Sequence, residues 1–166
     1  MPIITFQDLS KIRRRYRNSK IVFCSGVFDL THAGHVLFLE SCKNLGDILV
    51  VGVGGDEAVR KNKGKNRPVL NQHLRLKMID SLKPVNFSLL DNVNFRANDK
   101  LKFVREVFKE LRPDIYVFNS DGFATEERFN LSSIYKVKAM MLQRQCPKKF
   151  ESVSTSAIIE KIVKLF

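Results

Sequence analysis

The chain has 166 residues, an apolar fraction of 44% and a formal net charge of +12. That length suits one α/β domain with a core of ordinary size, and that apolar share excludes a disordered chain. No apolar run approaches the roughly 20 residues of a membrane span, and residues 1–17 lack a secretory leader's apolar block. A soluble cytoplasmic protein with no membrane partner is expected. The three cysteines, Cys24, Cys42 and Cys146, are odd in number and lack metal-ligand spacing, so reduced, mostly buried thiols are expected. The positive charge favours nucleotides, phosphorylated metabolites or nucleic acid. Aromatic residues are mostly Phe inside apolar segments, with no stacking platform for single strands, so nucleic acid is the less expected partner.

Residues 5–17 read as a short amphipathic helix with Phe6, Leu9 and Ile12 on one side and Thr5 as its cap. Its basic run, from Lys11 to Arg17, reads as a solvated face. Residues 20–24 form a first strand, and a helix runs from the turn after it to Leu45. Gly46 is placed as its C-cap. The continuous apolar run 47–52 is a strand buried on both faces, and strand, helix and strand make a βαβ unit. Gly52, Gly54 and Gly55 lack the third glycine of a dinucleotide fingerprint, whose place is held by Glu57.

A short helix over 56–60 leads into the cationic segment 61–69, which has the character of a loop that closes over an anion. Asn71 caps a helix reaching Leu82, with Leu74, Met78, Ile79 and Leu82 inward and Arg75 one face away. Residues 85–90 form a third strand, 99–111 an amphipathic helix, and 114–118 a fourth strand. The polar run from Asn119 to Gly122 follows at once, where ligand loops sit in open α/β sheets. A short helix over 126–133, a fifth strand over 137–142 and a last helix over 155–165 complete the chain. The expected fold is a Rossmann-like, doubly wound α/β domain. It has a mostly parallel five-stranded sheet with helices on both faces. A leading basic helix occupies 1–18 and the core 20–165.

Two of the three histidines open the second helix, as His32-Ala33-Gly34-His35. A strand, a glycine turn and a helix N-terminus form an anion site, because the free N–H groups and the helix dipole both favour phosphate. Ser154, Thr155 and Ser156 stand at the mouth of the last helix. There they can cap it or donate to phosphate oxygens.

The stretch Gly26-Val27-Phe28-Asp29-Leu30-Thr31-His32-Ala33-Gly34-His35 resembles the G-x-F-D-x-x-H-x-G-H signature of the cytidylyltransferase-like nucleotidyltransferases. The resemblance extends over 20–165. It implies attack by a phosphate oxygen of a small molecule on the α-phosphate of a nucleoside triphosphate, with release of pyrophosphate. By position, it implies that His32 and His35 act on the triphosphate in catalysis, with Lys63 or Lys65 reaching the phosphates. Gly26, Val27, Phe28 and Gly34 would line the phosphate pocket. Asp29 would position substrate or metal-bound water, and Asp121 would lie near the base or ribose. Ser154, Thr155 and Ser156 would hold the β- and γ-phosphates. Arg75 and Arg67 would bind substrate. Magnesium would be held mainly by the nucleotide, with no protein ligand assigned, and a homodimer is common in the family.

Lys63-Gly64 followed by Asn66-Arg67-Pro68-Val69 resembles the Lys-Gly…Arg-Pro-Val loop of the heptose-1-phosphate adenylyltransferase branch, which favours ATP and a sugar phosphate. CTP remains the other nucleotide. Glycerol-3-phosphate and ethanolamine- or choline-phosphate cytidylyltransferases, and archaeal-type FAD synthases, share the first motif. A catalytically inactive module binding nucleotide or RNA is the alternative outside enzymes.

Overall fold

Two apolar runs set the centre of the sheet. They form β2 (Ile21–Gly26) and β3 (Ile48–Gly54), paired in parallel from Ile21 opposite Ile48 to Gly26 opposite Val53. The computed structural model describes residues 3–92, 99–120, 124–143, 147 and 154–165. Around the central pair lie β1 (Ile3–Ile4), β4 (Phe87–Asp91), β5 (Ile115–Asn119) and β6 (Lys138–Leu142), in the order β1-β4-β3-β2-β5-β6. Every pairing is parallel. The sheet thus has six strands rather than five. The extra one is β1, whose two residues pair with Ser88 and Leu89. Two residues are too few for any period to register.

Helices cover both faces. On one side, α2 (Ala33–Lys43) and α4 (Gln72–Asp80) bring Leu39, Cys42, Leu76 and Ile79 onto Val22, Val51 and Val53. On the other, α1 (Leu9–Arg15), α5 (Lys102–Leu111) and α6 (Thr125–Ile134) pack Leu9, Val107, Phe108 and Leu131 over Phe23, Val50 and Tyr116. Such double winding follows from right-handed crossovers that run from β2 outward to β3 and β4 and then return through α5 to β5 on the other side of β2. The remaining helices are α3 (Asp56–Lys63) and α7 (Thr155–Val163).

Several local expectations change. The leading helix is shorter: residues Phe6–Asp8 form a 3-10 turn before α1. Arg13, in the basic run, donates to the Asp114 carboxylate at 2.9 Å and to the Arg17 carbonyl at 3.0 Å, pinning α1 to the start of β5. Gly46 is not the helix cap. α2 stops at Lys43, and a Cβ at Gly46 would lie 2.7 Å from the Lys20 carbonyl oxygen, so close packing on β2 requires the glycine. α3 runs on to Lys63, leaving residues 64–70 as the loop, and Gly64 ends the helix with φ at 96°.

The helix after Asn71 shows the largest departure. Asn71 caps it as expected, accepting from the His73 and Leu74 N–H groups. Its buried face, however, is Arg75, Leu76, Ile79 and Asp80, while Leu74 and Met78 are exposed. Arg75 is wholly buried.

Candidate functional site

β2 is flanked by β3, reached from it through α2, and by β5, reached from β4 through α5, and α2 and α5 lie on opposite faces of the sheet. Ligands bind outside the carboxyl ends of strands at such a switch point. A pocket of about 580 Å³ lies there. It collects Gly26, Val27, Phe28, Asp29, His32 and His35 from the turn after β2, Lys63 from α3 and Arg67 from the loop. Ser154, Thr155 and Ser156 enter from the start of α7.

The turn is built for tight approach. Phe28 and Leu30 have φ of 54° and 45°, a region that costs side-chain-bearing residues about 1–3 kcal/mol each. A Cβ at Gly26 would meet the Phe28 ring at 2.9 Å, so the strand can end there only as glycine. The Phe28 ring in turn stands edge-on to His35, centroids 5.5 Å apart.

The histidines lock each other. His32 is the N-cap of α2, and its Nδ1 accepts from the Gly34 N–H at 3.1 Å. The His35 Nδ1 accepts from the His32 N–H at 3.4 Å, and the two rings stack with centroids 4.0 Å apart. A neutral imidazole that accepts at Nδ1 carries its proton on Nε2. Each ring therefore presents a donor on its far edge.

Asp29 departs from the role expected of it. Its carboxylate is buried and accepts from the Val69 and Leu70 N–H groups at 2.9 and 3.0 Å and from Arg67 at 3.2 Å. It fastens the loop to the turn at the wall of the pocket. Arg67 also reaches Ser156 Oγ at 3.4 Å, and Thr155 donates its hydroxyl to the Asp29 carbonyl at 2.9 Å. Turn, loop and α7 thus close one ring of contacts. Ser154 caps α7 by accepting from the Ala157 N–H at 3.1 Å.

Arg75 is also corrected. Its guanidinium donates to the Leu70 carbonyl at 2.9 Å, the Val27 carbonyl at 2.6 Å and the Asp56 carboxylate at 2.6 Å. With no exposed surface, it is a clamp behind the pocket and not a wall of it. A trans peptide carries its C=O and N–H on opposite sides. Binding the Val27 carbonyl from behind therefore directs the Phe28 N–H away from Arg75.

Gly34 lies in the first turn of α2, and Lys65 is exposed on the loop; neither lines the pocket. Asp121 lies outside the described residues. Asn119, where the sequence placed a ligand loop, does line the pocket; the sequence reading missed Lys100, before α5, and Phe118 and Arg128 beside it. Arg128 shares the buried face of α6 with Leu131 and Ser132. An arginine three residues before an inward leucine was the available signal.

Fold and pocket together define a doubly wound α/β domain with a cationic pocket at a helix N-terminus. Residues 23–161 match the family model described as cytidylyltransferase-like. The chain belongs to the cytidylyltransferase-like family of nucleotidyltransferases. It is 34% identical over 155 residues to the bifunctional protein HldE of Helicobacter pylori (strain P12), covering 93% of this chain and 30% of that protein. The chain thus spans about a third of the length of the curated relatives it matches. A lipopolysaccharide core biosynthesis protein from Thermoplasma volcanium superposes with a TM-score of 0.60 at 27% identity, over 78% of this chain and 98% of that one. Pantoate-beta-alanine ligase from Francisella tularensis shares the fold, with a TM-score of 0.64 at 13% identity over 98% of this chain and 78% of that one.

Proposed function

We propose that this chain transfers a nucleoside monophosphate from a triphosphate, ATP in the first instance, to a phosphorylated sugar or similar small molecule. An acceptor phosphate oxygen attacks the α-phosphorus, the α–β bridging bond breaks, and pyrophosphate leaves. The observation that carries the reading is the locked histidine pair. Two imidazoles whose Nδ1 atoms are engaged by backbone N–H groups stand side by side on the wall of one pocket. Phosphoryl-type transfer needs positioned donors more than covalent help from the protein.

In this account His32, His35 and the Phe28 N–H stabilise charge on the α-phosphate. The first N–H groups of α7, which have no intrahelical acceptor, receive the β- and γ-phosphates. Lys63 adds charge from α3. Among the described residues no group of three or more carboxylate, histidine or cysteine side chains is placed to hold a metal, and the Asp29 carboxylate is engaged by the loop. Magnesium fits this site as an ion carried by the phosphates, whose charge it would partly neutralise.

A sugar phosphate is favoured on two grounds. The loop around Lys63 and Arg67 resembles the heptose-1-phosphate adenylyltransferase branch. The Thermoplasma relative is described as serving lipopolysaccharide core biosynthesis. A homodimer belongs to the same proposal. No helix among the described residues is long and apolar enough to cross a membrane.

The test starts with thermal shifts against ATP, CTP, GTP and UTP, each with magnesium. A ligand at 100 times its dissociation constant adds about 2.7 kcal/mol of stability. Pyrophosphate release with that nucleotide and a panel of sugar phosphates follows. No shift with any triphosphate, or no release with any acceptor beside salt-sensitive RNA binding, would replace the enzyme by a binding module.

A further inference from the structure

α1, α5 and α6 lie on one face of the sheet and run toward the amino ends of its strands, away from the pocket. Their last turns meet there. Arg13 donates to the Arg17 carbonyl at 3.0 Å, the Arg112 carbonyl at 3.4 Å and the Asp114 carboxylate at 2.9 Å, and the Lys138 N–H donates to the Asp114 carbonyl at 3.2 Å. The fold thus gathers Arg15, Arg17, Lys20, Arg112, Lys136 and Lys138 at one end of the domain, all exposed. Among the described residues none of these six side chains forms an ion pair. Of the carboxylates at this end, Asp114 is matched by Arg13, which leaves Asp47 and Glu110 against the six cations.

Helix dipoles favour cations at these ends, but only within the last turn. Arg17, Lys20 and Lys138 lie beyond it. Arg112 and Lys136, just past α5 and α6, have φ of 47° and 54°. Glycine is the usual occupant of such a position because a Cβ is strained there. Each instead carries a long cationic side chain. The surface is also level. Val22, Ile115 and Lys138 stand in one row across β2, β5 and β6, and the connections 112–114 and 135–137 are three residues each. Ile134, 74% exposed, ends α6 two residues before Lys136.

We propose that this end of the domain docks on an anionic lipid bilayer, held by the six cations with Ile134 reaching among the headgroups. A level surface with an exposed aliphatic side chain suits a bilayer better than a nucleic acid. The rings at this end, Tyr16 and Tyr135, are packed on Phe87 and Phe108, so neither is free to stack a base. The contact is peripheral, since no helix among the described residues is long and apolar enough to cross a membrane. It adds a membrane partner that the sequence reading did not expect, because the cations come from three separate segments that only the fold unites. It stands apart from the transferase reading, whose pocket lies at the opposite ends of the strands.

The experiment is flotation of the full chain with vesicles of phosphatidylcholine alone or of phosphatidylcholine mixed with phosphatidylglycerol. Wild type floats with the mixed vesicles and not with the neutral ones. Raising salt from about 0.1 to 1 M, which shortens the screening length from about 10 to 3 Å, releases it. Arg112→Gly combined with Lys136→Gly lowers the partition about 30-fold, as loss of two basic residues near an anionic leaflet predicts. Glycine suits both left-handed positions, so the melting temperature stays near that of wild type and the loss is not a folding defect. Ile134→Ser lowers the partition severalfold without changing its salt dependence. No flotation of wild type with mixed vesicles, or an unchanged partition in the double variant, overturns the proposal. So does duplex RNA bound more tightly than the mixed vesicles, with the same loss in the double variant and none in Ile134→Ser. If the double glycine variant does not fold, Lys20→Gln combined with Lys138→Gln decides: a partition equal to that of wild type overturns the proposal.

Discussion

Thr155 donates its hydroxyl to the main-chain carbonyl of Asp29, 126 residues away, at 2.9 Å. That bond seats the N-terminus of α7 against the turn that carries both histidines. Thr155→Val removes the donor and keeps the shape. One neutral hydrogen bond is worth about 1 kcal/mol, so triphosphate affinity falls about fivefold while Thr155→Ser stays near wild type. Titration with a non-hydrolysable triphosphate measures both. An unchanged affinity in the valine variant would mean that α7 holds its place without this bond.

Asp29 separates two accounts of its carboxylate. As the fastening of the loop, its replacement by asparagine loses the charge that holds Arg67 and two N–H groups, about 1.5–3 kcal/mol of local stability. Residues 64–70 then become more open to proteolysis and to hydrogen exchange, and the magnesium dependence of turnover keeps its midpoint. A large shift of that midpoint, with exchange in the loop unaltered, would return Asp29 to the positioning of metal-bound water.

Arg75→Met leaves the partly buried Asp56 carboxylate and two carbonyls without their donor. Breaking a buried charge pair costs about 3–5 kcal/mol, and Arg75→Lys fails to rescue it because one ammonium cannot serve three directions. Urea midpoints report the loss. A variant of wild-type stability with a raised substrate KM would instead restore Arg75 to the pocket surface.

His35→Ala removes a donor aimed at the reacting phosphate and is expected to lower kcat about 10²- to 10³-fold, by analogy with loss of one oxyanion donor. His32→Ala does the same and removes the N-cap of α2, so it lowers the melting temperature more than His35→Ala, which removes only the reciprocal contact to the His32 N–H. Turnover within tenfold of wild type for His35→Ala would remove the pair from the chemistry.

At the other end of the chain, the Thr5 hydroxyl and N–H, followed by Lys11, hold the Asp8 carboxyl below its ordinary value of 3.8. A lowered carboxylate pKa stabilises the fold above the ordinary value, and the benefit disappears as pH falls through the lowered one. Asp8→Asn is therefore less stable than wild type at pH 7, and the two curves converge in acid. Denaturant midpoints between pH 7 and pH 2 trace this. Curves that remain parallel throughout would show that the Thr5–Asp8 turn adds nothing.

The histidine turn was readable because its signals are local: an apolar strand, a glycine and a polar helix start within 15 residues. Burial of Arg75 was not readable. Helical period placed Leu74 and Met78 inward, but three oxygen acceptors from Val27, Asp56 and Leu70 rotate the helix to bury the arginine instead. Periodicity counts apolar residues and has no term for a cation that finds its partners far along the chain. Asp29 misled for the same reason. Its partners are backbone N–H groups 40 residues on, which no motif encodes.

The pairing of Ile3 with Ser88 carries a consequence for biosynthesis. Residues 3 and 4 are made before β2 and β3, yet their neighbour in the sheet, β4, is finished only after both. This edge strand is thus made well before the one strand it pairs with. Until then Ile3, Ile4 and the apolar side of α1 must wait in solvent or on a chaperone. Slowing translation just beyond residue 91 should therefore help this protein to fold more than a pause anywhere earlier.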